Sequence, residues 1–78
     1  MRFAQLDTVV LDKDLPDHRL RTGDLGAVVQ VYEPDGLEVE FTRASGRTEA
    51  LVTLHDSDVR PIGDGDMIAV RRIERPNH

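Results

Sequence analysis

The chain has 78 residues, fifteen of them acidic against ten Lys or Arg, for a formal net charge of −5, and it has no cysteine. A domain of that length buries only about 60% of the surface its unfolded chain exposes, which leaves one thin core and little room for an enclosed active site. The missing cysteines exclude a disulfide framework and a thiolate metal site and fit a reducing cytoplasm; the acidic balance weighs against generic phosphate-backbone binding, whose affinity comes from Lys and Arg displacing counterions.

The N-terminal stretch Met1-Arg2-Phe3-Ala4-Gln5-Leu6-Asp7 meets an acid before a signal-peptide apolar region can form, and no apolar run approaches the ~20 residues of a membrane span. The expectation is a cytoplasmic protein, neither exported nor embedded in a membrane. Apolar positions recur with a period of two along most of the chain, the pattern of strands with one buried face. Leu6 to Leu11, rich in β-branched residues, reads as the first strand. Asp12 to Gly23 has Pro16, alternating charges and no periodicity, and reads as a long surface loop. Gly26 to Glu33 is the second strand, with Ala27, Val29 and Val31 on one face and Val28, Gln30 and Tyr32 on the other. Glu33-Pro34-Asp35-Gly36 predicts a type I turn closed by a glycine bulge, with Gly36 at positive φ. In the third strand Leu37, Val39 and Phe41 form a dry face, and Glu38, Glu40 and Thr42 a wet one.

After a turn at Ala44-Ser45-Gly46, Thr48 to Leu54 reads as a fourth strand that buries Ala50, Val52 and Leu54 and points Leu51 the other way, under a loop. His55 to Asp58 is polar and suits a single 3₁₀ turn. Val59 to Ile62 closes the sheet, and residues 66–73 read as one more strand on an edge. The centre of the core is expected at Val29, Val31, Val39, Phe41 and Val52. Strand, long loop, three meandering strands, 3₁₀ turn and closing strand is the order of a small all-β, SH3-like barrel of about five strands, here a single domain over residues 1–78 with the barrel at about 5–62.

The motifs Leu6-Asp7-Thr8-Val9-Val10-Leu11, Asp14-Leu15-Pro16, Leu20, Gly23-Asp24-Leu25-Gly26, Val28-Val29, Tyr32-Glu33-Pro34, Glu38-Val39-Glu40-Phe41, Gly46, Ala50-Leu51-Val52 and Arg60-Pro61 resemble a bacterial family, DUF 4926, over about residues 5 to 62. Gly23-Asp24-Leu25-Gly26-Ala27-Val28 alone is also similar to the glycine-valine core of KOW domains. The family resemblance carries no activity. It implies a small, stand-alone bacterial protein, in a family whose members sometimes look like the partner halves of toxin and antitoxin gene pairs.

Several constellations combine residue types that can carry chemistry. His18 between Asp14 and Asp17 has the ingredients of a metal or acid–base cluster, but a charged surface loop accounts for all three, so no metal and no cofactor is assigned. His55 with Asp56 and Asp58 is read as the 3₁₀ turn. Ser45 has no neighbouring His, and Ser57, two residues from His55, is read as a turn neighbour rather than a nucleophile, so no catalytic residue is assigned. Arg71, Arg72 and Arg75 against Glu74 make a basic tail, read as a solvated end. Tyr32, with Leu15, Pro16, His18 and Leu20 of the long loop and a rim of Arg19 and Arg21, is expected to form a shallow protein-binding patch. Glu38 and Glu40 supply an acidic face that attracts a basic partner. The reading that follows is a non-enzymatic protein-interaction module, antitoxin-like in its sharpest form, with a protein partner encoded by a neighbouring gene. Two rivals stand beside it: a KOW-like RNA or ribosome-associated domain, and an accessory subunit of an enzyme.

Overall fold

A computed structural model describes residues 2–73, as five strands: β1 (Thr8–Leu11), β2 (Leu25–Tyr32), β3 (Gly36–Thr42), β4 (Thr48–His55) and β5 (Val59–Pro61). Glu74 and Arg75 of the basic tail lie outside the described residues. All strand pairs are antiparallel, in the order β4-β3-β2-β1-β5. Laid flat, four spacings of about 4.8 Å would put β4 roughly 19 Å from β5. Yet only the 3₁₀ turn Asp56–Asp58 joins them, and such a turn rises about 2 Å per residue. The sheet is therefore curled until its two outer strands approach at that end. Backbone bonds of 2.8 Å from the Asp56 amide to the Asp35 carbonyl and from the Asp12 amide to the Asp58 carbonyl hold the turn there. β4 and β5 do not pair, so the curl stays open. This connectivity is compatible with the small SH3-like barrel that the sequence suggests.

One core fills the concave side. Val9, Leu11, Val28, Leu37, Val39, Phe41, Ala50, Val52, Leu54 and Val59 are buried in it, joined by Phe3 and Leu20. Period-two alternation puts Leu37, Val39 and Phe41 inward and Glu38 and Glu40 outward, as expected. In β2 the expected faces are wrong. The register against β3 shifts between Val28 and Gln30, so one residue of β2 is extra and the inward parity changes: Gly26 and Val28 point in before it, Val31 after it. Val28, not Val29, is the fully buried residue.

Four more expectations are corrected. Leu6 is not in a strand but in a turn, at φ 78, and it is 82% exposed. Gly36 does not have positive φ. The chain reverses over Glu33, Pro34 and Asp35, with a cis Glu33–Pro34 peptide, and Gly36 is already paired with Tyr32 as the first residue of β3. A Cβ there would lie 3.2 Å from Tyr32 Cβ and 3.3 Å from its carbonyl oxygen, so close approach, not φ, favours glycine. The long loop has its own 3₁₀ turn, Pro16–His18, flanked by a Leu15–Leu20 bridge that turns Leu20 into the core. Leu51 does leave the core, but no loop covers it, and it is 55% exposed.

Residues 67–73 form no strand. Ion pairs, not a hydrogen-bond ladder, hold this segment to the sheet. At one end Arg60 binds Asp66 through two bonds of 2.9 Å, and Asp66 also accepts from the Gly63 amide at 2.7 Å. At the other, Arg71 donates to both carboxylate oxygens of Asp24 and to the Arg19 carbonyl. Beneath the segment lies Val10, which points away from the core yet is only 4% exposed. No helix among the described residues is long and apolar enough to cross a membrane.

Candidate functional site

The convex face of β2, β3 and β4 is a set of cross-strand rows. Tyr32, Gly36 and His55 make one, Gln30, Glu38 and Thr53 the next, and Ala27, Glu40 and Leu51 the third. Because Leu37, Val39 and Phe41 are spent on the core, Glu38 and Glu40 must point outward. Threonine hydroxyls of β4 fix both carboxylates: Thr53 Oγ1 donates to Glu38 Oε1 at 2.7 Å and Thr48 Oγ1 donates to Glu40. Tyr32, 47% exposed, and Leu51 stand on this same face. Two apolar side chains thus flank two fixed acids on rigid sheet, with Glu33 and Asp35 in the adjoining turn.

The loop residues do not join this face. β2 begins beside the long loop and ends at Tyr32, so seven residue steps, about 23 Å of strand, separate Leu25 from Tyr32. The expected patch of Tyr32 with Leu15, His18, Arg19 and Arg21 is therefore not one surface. Leu15 packs against the core. His18 and Arg21 are exposed, and the Arg21 amide donates to Asp24 Oδ2 at 2.8 Å. Arg19, at φ 59, reaches Glu49 Oε2 at 2.9 Å.

Glu49, which the sequence reading passed over, receives Arg19 and Arg43 on a side chain only 4% exposed. The Arg43 hydrogen bond at 2.7 Å, with the charge of Arg19 beside it, outweighs desolvation and holds this carboxyl below its ordinary value. Its partners lie six and thirty residues away in sequence, so no local motif announces it. Asp14 is committed to the Thr22 amide at 2.8 Å and hydroxyl at 3.1 Å, which lower its pKa. Among the described residues no group of three or more His, Cys, Asp or Glu is placed to hold a metal ion.

A cleft of about 900 Å³ lies between the 66–73 segment and the sheet, with Val10, Leu25, Phe41 and Ile62 among its apolar lining residues. Three of its arginines are paired within the chain: Arg43 with Glu49, Arg60 with Asp66, Arg71 with Asp24. Burial raises the pKa of Asp24, but hydrogen bonds from Arg71 and the Arg21 amide lower it by more, and the net direction is down.

Asp35, His55 and Ser57, far apart or set aside in the sequence, meet in one hydrogen-bonded chain. His55 Nε2 lies 2.6 Å from Asp35 Oδ2, and Nδ1 lies 2.8 Å from Ser57 Oγ. The Ser57 amide also donates to Nδ1 at 3.2 Å, and the His55 amide donates to Asp58 Oδ2 at 2.9 Å, a reciprocal capping box. With Asp56 Oδ1 a further 3.2 Å from Nδ1, the ring is occupied in closing the turn. The cleft under the 66–73 segment is not lined by Asp35, His55 or Ser57.

Residues 5–61 match a protein-family model, described as a domain of unknown function (DUF4926). No curated protein and no solved structure matches the chain.

Proposed function

The chain belongs to the DUF4926 family, and from that premise we propose that it is a cytoplasmic, non-enzymatic protein-interaction module that engages a basic partner through the convex face of β2–β4. One observation carries this reading: Glu38 and Glu40 are fixed by threonine hydroxyls between the exposed Tyr32 and Leu51. Acids held on a sheet steer a cationic surface without losing side-chain freedom on contact, and the two apolar groups supply anchors that exclude water around them. A toxin that acts on nucleic acid carries such a cationic surface, so an antitoxin-like role toward a neighbouring gene product is the sharpest form of the proposal.

Direct nucleic-acid binding has less support. Arg19, Arg43, Arg60 and Arg71 each face a carboxylate of the same chain, and charges so neutralised release few counterions from a phosphate backbone. The test is co-purification and binding kinetics with the product of the adjacent gene. Glu38→Lys with Glu40→Lys is expected to slow association about tenfold at low salt, and Tyr32→Ala with Leu51→Ala to weaken affinity by about tenfold or more. His18→Ala with Arg21→Ala should leave both unchanged. Equal binding by all variants would overturn the proposed face; RNA binding with a steep salt dependence would overturn the class.

A further inference from the structure

We propose that Met67–Val70 is a self-association surface whose partner is the same segment of a second copy of this chain, paired antiparallel about a two-fold axis. Met67, Ile68 and Val70 are 92%, 74% and 95% exposed. Among the described residues, no backbone–backbone hydrogen bond involves residues 67–70. An apolar run rich in strand-forming residues therefore turns its amides and carbonyls to water, the condition in which a chain accepts a further strand. The segment is also held in place beforehand. Arg60–Asp66 secures one end and Arg71–Asp24 the other, which lowers the ordering cost of pairing.

The order of charges selects a second copy as the partner. Asp64 and Asp66 precede the apolar four residues, and Arg71 and Arg72 follow them. Parallel self-pairing would set acid beside acid, whereas antiparallel self-pairing sets acid beside base at both ends. Symmetry narrows the register. Successive pairs of an antiparallel ladder alternate between hydrogen-bonded and non-hydrogen-bonded, and a two-fold axis maps each pair onto one of its own kind, so some residue must oppose its own copy. With Ala69 on the axis, Ile68 opposes Val70 of the second copy and Asp66 opposes its Arg72. Two apolar pairs then flank the smallest side chain, and an ion pair closes each end. Arg72 is exposed, and among the described residues it has no ion-pair partner. The contact is isologous and closed, giving a dimer rather than a fibre. It is separate from the β2–β4 face, so either surface can fail without the other.

Sedimentation velocity from about 1 to 500 μM protein spans the affinities a small symmetric contact reaches. The expected result is a reversible monomer–dimer equilibrium, with a dissociation constant raised at least about tenfold by Ile68→Ser with Val70→Ser and by Arg72→Glu. These side chains are outside the core, and an unchanged far-ultraviolet spectrum checks the fold. The register has its own test, because the chain has no cysteine and one introduced thiol reports alone. Opposed residues have Cα atoms about 4.5–5.5 Å apart, within disulfide reach. Ala69→Cys is expected to form an intermolecular disulfide in a glutathione redox buffer, while the exposed Leu6→Cys stays reduced. A monomer at every concentration overturns the proposal, and so does cross-linking of Leu6→Cys as fast as Ala69→Cys.

Discussion

Gly26 has no room for a methyl group. A Cβ at this inward position of β2 would fall 2.5 Å from Val39 Cγ1 and 2.9 Å from Phe41 Cε1, so the two side chains that fill the core sit where it would be. Val39 is short and branched and cannot swing aside. Gly26→Ala is therefore expected to cost about 1–3 kcal/mol, the usual penalty of overpacking, seen as a lower denaturation midpoint at unchanged slope. Phe41, 2% exposed, presents the opposite case: Phe41→Ala empties the centre and should cost about 3–5 kcal/mol, close to the whole stability of a domain this small. A cooperative unfolding curve with a normal midpoint for that variant would show the ring to be peripheral. Gly36→Val should also destabilise, by about 1 kcal/mol or more, through contact with Tyr32.

In β2, the bulge decides which valine matters. Val28→Ala should lower stability by about 2 kcal/mol, whereas Val29→Ala, at the half-buried neighbour, should lower it by well under half of that; equal losses on denaturant titration would remove the bulge. Alternation located β3 and β4 almost to the residue, because each has an unbroken period of two and a glycine or polar turn at its ends. It failed in β2, where Ala27-Val28-Val29-Gln30-Val31 is apolar on both faces and the extra residue leaves no compositional trace. It failed again at residues 66–73, where a strand-like composition pairs with neither edge of the sheet. The convex face was half legible. Glu38 and Glu40 followed from the period of β3, and Tyr32 from its place before a turn; counting eight residues along β2 would have separated Tyr32 from the loop. Glu49 and the Asp35–His55–Ser57 chain depend on how the sheet curls, which no single stretch of sequence encodes.

At the scale of the whole molecule, the carboxylates with resolved shifts among the described residues all move the same way. Arg60, joined by the Gly63 amide, holds Asp66 down to about 2, and Asp14, Asp24 and Glu49 are lowered by their own partners. A carboxyl depressed in the folded state contributes stability above its unfolded pKa, 3.8 for Asp, and loses it as pH falls through the folded value. Stability is therefore expected to fall between about pH 4 and pH 2, and carboxyl chemical shifts of Asp66 should show its midpoint near the bottom of that range. An Asp66 midpoint at or above 3.8 would remove the Arg60 clamp. The three-residue link between β4 and β5 reaches further, into how the molecule behaves in a crowd. A bare sheet edge invites any passing strand, and proteins commonly guard it with lysine; this chain has one, Lys13. Its two edges instead are tied together at one end by the three-residue turn Asp56–Asp58, which leaves little room there for an intruding strand. To open that end, a neighbour must break the Asp56–Asp35 and Asp12–Asp58 backbone bonds. The short link and its two backbone bonds thus guard one end of both edges against runaway stacking.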